Sequence, residues 1–271
     1  MAVTPQQCSE LTRLLSEAIE TKLRKYKRET LHMPFHEALL GADRIASYSL
    51  THSIVTSLGQ SVFEQFAGLL AQPRFKVVQR QYKGLSGRMS SGAPDAIGRI
   101  VDDLTSGRSK PDKSAETRRV LTACEGAGTS DAGKPPRVDL YLEDHLGTEY
   151  YIDLKSPKPN RGEFTALKRV LLEWIAMRGT ADPQAKVQTL LGIPYNPYSP
   201  EPYARWTALN LFDPAEILVA EDFWDFVGGA GTYPGVLAVF EEVGRSLQLK
   251  IEAAFGDPAA RRGAGPPRLD L

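Results

Sequence analysis

Two short alternating runs set the strongest limit on how this chain folds. Arg137-Val-Asp-Leu-Tyr-Leu142 and Tyr150-Tyr-Ile-Asp-Leu-Lys155 flank a polar stretch, Glu143–Thr148, that contains Gly147. Apolar and polar positions alternating with period two mark strands, and so short a connection marks a hairpin. Val138, Leu140 and Leu142 then share one face, and Asp139 and Tyr141 the other. In the second run Ile152 and Leu154 oppose Tyr151, Asp153 and Lys155. The hairpin therefore brings Asp139 beside Asp153 and Lys155. Two carboxylates and an ammonium on one face suit a hard divalent cation and a phosphate. The same residues also describe a sheet edge with a solvated Asp–Lys pair.

The flanking sequence gives the hairpin an α/β setting. Thr4-Pro5 reads as an N-cap and first turn, with Leu11, Leu14, Leu15, Ala18 and Leu23 at helical spacing to about Glu29. A short helix over Pro34–Leu40 stops near Gly41. Residues 43–70 read as a helical hairpin or one interrupted helix, with Val55, Leu58, Val62, Phe66 and Leu69 as its stripe. Phe75–Tyr82 alternates as a strand, and Ala96–Leu104 is a short helix. The polar stretches around Arg88 and from Arg108 to Arg119 read as loops, either plain surface or segments that order on a ligand. After the hairpin come a helix over Glu163–Met177, with Lys168 off its apolar face, and strands over Lys186–Ile193 and Ile217–Ala220. Glu221–Val227 and Tyr233–Phe255 close the chain as helices, with Gly244 as a candidate break. The expected organisation is a helical region over 1–71, an α/β core over 72–260 and a loose tail over 261–271. Four prolines exclude regular structure over 194–206. Tyr195, Tyr198, Tyr203 and Trp206 make that segment either a packed loop or a base-contacting one.

Charge is neutral overall but unevenly placed. Residues 72–137 carry thirteen Lys and Arg against seven Asp and Glu, whereas 138–271 carry thirteen against nineteen. A basic stretch ahead of an acidic hairpin suits an enzyme that holds a phosphate backbone and cuts it at a metal. No run of eighteen apolar residues marks a membrane span. Cys8 and Cys124 are the only cysteines and define no disulfide framework, so a cytoplasmic protein is expected.

Asp139, followed fourteen residues later by Asp153-Leu154-Lys155, resembles the active-site pattern of the PD-(D/E)xK nuclease superfamily, with Val138 where that pattern usually has proline. Met33-Pro-Phe-His36, the stretch from His52 to Glu64, Tyr151–Asn160 and Gly192-Ile-Pro-Tyr-Asn-Pro-Tyr198 extend the resemblance to type II restriction endonucleases. The resemblance implies a restriction-endonuclease-like mixed sheet flanked by helices, and Mg²⁺-dependent cleavage of both strands of double-stranded DNA in a bacterial or archaeal cell. It implies a short palindromic target, GC-rich and interrupted as in GGNCC, read by a homodimer. Asp139 and Asp153 would bind the metal and Lys155 would serve the attacking water. Glu64, on an upstream helix, is the candidate third acid. Lys158, Asn160 and Arg161 occupy family-like positions suited to phosphate. Arg80, Lys83, Arg88 and Arg205 are candidates for guanine edges or phosphate. Competing readings are a repair or recombination nuclease, an inert DNA-binding protein with this fold, and an α/β enzyme in which the hairpin is incidental.

Overall fold

A computed structural model of the protein describes residues 3–30, 32–125, 128–131, 133, 135 and 137–256. The expected tail over 261–271 lies outside them. The described residues divide into two compact units, Val3–Phe63 with the helices from Pro234 onward, and Glu64–Tyr233.

The first unit is helical. Helix α1 (Pro5–Lys25) starts on a capping box in which Thr4 and Gln7 satisfy each other's backbone N–H, and it buries Leu11, Leu15 and Ile19. It ends before Glu29 because Tyr26 turns extended. Helices α2 (Pro34–Leu40) and α3 (Ala42–Ser57) meet at Gly41, whose φ of 84° favours glycine. A π turn, Leu58–Val62, then leads into α4 (Phe63–Ala71), which from Glu64 onward belongs to the second unit. The extra residue of the π turn shifts the helical phase, so Val62 and Phe66 are buried while Val55, expected in the same stripe, is 53% exposed. The closing helix is two, α10 (Thr232–Ser246) and α11 (Gln248–Gly256), broken at Leu247 and not at Gly244. A Lys250–Glu20 ion pair ties α11 to α1.

The second unit is the α/β core. Strands β1 (Val77–Tyr82), β4 (Val138–Glu143) and β5 (Thr148–Leu154) are antiparallel neighbours. Strands β6 (Lys186–Ile193) and β7 (Ile217–Val219) extend the sheet in parallel from β5, giving the order β1-β4-β5-β6-β7. Thus β5 is central, and the solvated-edge alternative does not describe it. Helix α7 (Arg161–Ala181) makes the crossover from β5 to β6. Helices α5 (Ala93–Thr105) and α6 (Lys113–Cys124) pack against α7. Arg88 opens a short strand, β2 (Arg88–Ser90), paired with β3 (Thr129–Asp131), and Lys113, Arg118 and Arg119 lie on α6, whereas residues 83–87 and 108–112 are loops as expected. Asp112 starts α6 by accepting the Ala115 N–H.

Both faces of the sheet are covered. Tyr141, Tyr151 and Leu191 join Ile97, Phe164, Leu171 and Trp174 in the main core. On the opposite side Gly192 leaves room for Phe223 of α9 (Glu221–Gly228): a Cβ there would stand 2.7 Å from Phe223 Cε2 and 2.8 Å from Leu154 Cδ2. Lys168, expected off the apolar face of α7, is fully buried. Its Nζ lies 2.5 Å from Glu216 Oε2, pairs with Glu116, and stands over the Phe212 ring. A buried ammonium between two carboxylates explains how a lysine occupies that position.

Candidate active site

Register places the two aspartates. Leu140 pairs with Ile152, so Asp139 and Asp153 come opposite each other just beyond the paired stretch, on the face of Tyr141 and Tyr151. Asp139 Oδ2 accepts the Leu154 N–H at 3.0 Å, and its Oδ1 accepts from Arg137 Nη2 at 3.2 Å. Asp153 is 6% exposed. Lys155 Nζ stands 2.8 Å from Asp153 Oδ2 as an ion pair. Burial pushes the Asp153 carboxyl up to about 6, against the pull of Lys155.

Glu64 arrives from α4. It is buried, and its Oε2 accepts from Gln81 Nε2 at 2.5 Å, with Arg80 Nη1 3.8 Å from Oε1. Burial raises its carboxyl above the ordinary range, and Asp139 adds to that rise. Gln81 Oε1 in turn accepts from Arg137 Nη1 at 2.8 Å. A continuous polar chain therefore runs Glu64–Gln81–Arg137–Asp139–Leu154, and the Asp153–Lys155 pair flanks its last member in sequence. Among the described residues no three His, Cys, Asp or Glu side chains form a ready cage for a metal. Each carboxylate is instead turned to its own donor or cation. The donor set still suits a hard cation: oxygen ligands from Asp139 and Asp153, the latter buried beside the Lys155 ammonium.

The other expected contact residues fall into separate groups. Arg80 belongs with Glu64, and its side chain lies across Gly68. Lys158 Nζ stands over the Tyr198 ring at 5.4 Å. Asn160 caps α7, its Oδ1 accepting the Glu163 N–H at 2.9 Å. Arg205 donates to the Pro159 carbonyl at 3.1 Å, and Tyr203 to that of Pro157 at 2.9 Å. The proline-rich segment is thus packed on the exit from β5. Arg88 donates to Thr129 Oγ1 at 2.8 Å, and Lys83 is exposed between β1 and β2. Arg137 and Gln81 were not expected at the site. Their signal was positional: Arg137 precedes Asp139 by two, just ahead of β4, and Gln81 faces Asp139 across β1 and β4.

A model of the HinfI type II restriction endonucleases matches residues 3–244. This chain belongs to that family. Among curated relatives, the type II restriction enzyme MjaII of Methanocaldococcus jannaschii is 30% identical over 223 residues, 73% of this chain. The chain spans 58% of MjaII's length. The type II restriction enzymes HgiEI and HgiBI of Herpetosiphon aurantiacus are 24% and 23% identical, each over 93% of this chain and 98% of its own length. The fold accords with that membership: a mixed sheet flanked by helices, with a largely helical N-terminal region. No helix among the described residues is long and apolar enough to cross a membrane.

Proposed function

We propose that this HinfI-family protein is a Mg²⁺-dependent site-specific deoxyribonuclease. It hydrolyses one phosphodiester bond in each strand of a short palindromic, GC-rich interrupted DNA site. The observation that carries the reading is the buried Asp153 carboxylate with Lys155 at 2.8 Å and Asp139 beside it. Asp139 and Asp153 would hold Mg²⁺, with Glu64 as the third acid. When bound, the metal supplies Lewis-acid stabilisation of the phosphoryl oxygens and lowers the pKa of water. Lys155 would orient the attacking water and offset charge developing on the phosphate. The Leu154 N–H and Arg137 hold Asp139 in one orientation. Lys158, Asn160 and Arg161, which follow β5 in sequence, would contact the backbone beside the scissile bond. Arg80, Lys83, Arg88 and Arg205 supply further cations for phosphate or guanine edges.

Two copies of the chain acting on one duplex account for cleavage of both strands, because a two-fold protein matches a two-fold site. The test is plasmid cleavage in Mg²⁺ beside DNA binding in Ca²⁺ for Asp139→Ala, Asp153→Ala and Lys155→Ala. Each is expected to lose cleavage while keeping most of its binding. Full cleavage by Asp153→Ala would refute the assignment. Dependence on junctions, lesions or ends would point to a repair or recombination nuclease.

A further inference from the structure

Gln81 has a positive φ, 55°, one residue before the end of the paired strand β1. The pairing runs in one register on either side of it, Arg80 with Leu140 and Tyr82 with Val138, and lapses at Gln81 opposite Asp139. A long unbranched side chain gains nothing from the left-handed region, where glycine and asparagine are favoured. Non-glycine residues held there cluster at functional sites. The side chain is engaged at both ends of its amide. Nε2 donates to Glu64 Oε2 at 2.5 Å, and Oε1 accepts from Arg137 Nη1 at 2.8 Å, whose Nη2 reaches Asp139 Oδ1 at 3.2 Å.

We infer that Gln81 is a positioning residue for the metal site: its amide holds Glu64 directly and Asp139 through Arg137, fixing two carboxylates from different elements relative to each other. This rests on the reading of Glu64, Asp139 and Asp153 as metal ligands. An amide is the group the position needs, because it must donate to a carboxylate and accept from a guanidinium at once. A carboxylate there would face Glu64 with like charge. A hydroxyl would be too short to span both. The left-handed backbone has a second consequence: it turns Tyr82 onto the side of Tyr141, where the rings stack at 4.3 Å. A purely structural role for Gln81 would reside in that turn and not in the amide.

Gln81→Gly separates the two, since glycine keeps the left-handed backbone and removes only the amide. Mn²⁺ binding to the DNA-free protein, read by electron paramagnetic resonance, is compared for the wild type, Gln81→Gly, Gln81→Glu and Glu64→Gln. Loss of a residue that orients metal ligands weakens binding roughly 10–100-fold. Gln81→Gly and Gln81→Glu are both expected to fall in that range, with near-ultraviolet circular dichroism unchanged for Gln81→Gly. In a Glu64→Gln background, Gln81→Gly is expected to add much less than it does alone. Wild-type Mn²⁺ affinity in Gln81→Gly, or full additivity with Glu64→Gln and no loss in Gln81→Glu, would overturn the inference. Asp153→Ala is the control for the underlying reading. If it binds Mn²⁺ like the wild type, the ligand assignment itself fails. If it loses Mn²⁺ while Gln81→Gly does not, only the role of Gln81 fails.

Discussion

Lys155 Nζ stands 2.8 Å from Asp153 Oδ2, a partly exposed ammonium against a carboxylate almost fully enclosed on the central strand. Burying a carboxylate costs the fold stability even with a cation beside it, and such a cost is tolerated where the group has work to do.

That cost has a pH signature. Burial pushes Asp153 from an ordinary 3.8 to about 6. The folded protein then binds this proton more tightly than the unfolded chain does. Its contribution to stability is fully present below the unfolded value and is lost as pH rises through about 6. Asp153→Asn removes the charge. In EDTA, urea denaturation is expected to find the variant more stable than the wild type above about pH 7, by roughly 3 kcal/mol, and equal to it below about pH 4. A difference that does not change with pH would contradict this.

The buried Lys168 binds three elements together through Glu116 and Glu216. Lys168→Met leaves two carboxylates buried without a cation. It is expected to cost about 3–5 kcal/mol in chemical denaturation. Adding Glu116→Gln and Glu216→Gln to the same protein should recover most of that loss. If the triple variant is no more stable than Lys168→Met, unpaired charge is not the cause.

Asn160 has a defined local task, the cap of α7, completed by Glu163 Oε2 accepting the Asn160 N–H at 2.6 Å. Asn160→Ala is expected to lower stability by about 1 kcal/mol, and Asn160→Asp to keep it. A phosphate contact gives a separate readout. Asn160→Asp would then weaken DNA binding in Ca²⁺ although its stability is intact.

Two glycines that both sit under side chains differ in what opposes them. At Gly68 a Cβ meets the flexible Arg80 side chain at 2.8 Å. At Gly192 it meets the Phe223 ring and Leu154, both enclosed. Gly68→Ala is expected to be near neutral in thermal denaturation. Gly192→Ala is expected to cost about 1–3 kcal/mol by overpacking and to displace the strand that carries Asp153. Equal effects at the two positions would contradict the packing argument.

Much of this was legible in the chain because period-two alternation encodes faces directly. Asp139, Asp153 and Lys155 could be placed on one side of a hairpin from spacing alone, and α7 and β6 followed from equally regular patterns. Glu64 could be nominated only by resemblance, since nothing in a local pattern brings a residue of α4 to β1 and β4. Gln81 and Arg137 were hidden for a related reason. Their roles lie in hydrogen bonds across strands and in a backbone angle that composition does not report. Val55 shows the limit of periodicity, because the π turn changes the phase it relies on. Lys168 shows the limit of polarity as a guide to exposure, because its partners Glu116 and Glu216 are 52 and 48 residues away in sequence.

The most direct test of the account is digestion of a sequenced, unmodified plasmid with the purified protein in Mg²⁺, followed by sequencing of the cut ends. Double-strand breaks at one short, two-fold-symmetric, GC-rich sequence, lost with Asp153→Ala and absent in EDTA, are the predicted result. Wild-type protein that binds the plasmid but leaves it intact in Mg²⁺, or breaks with no common sequence, would contradict it.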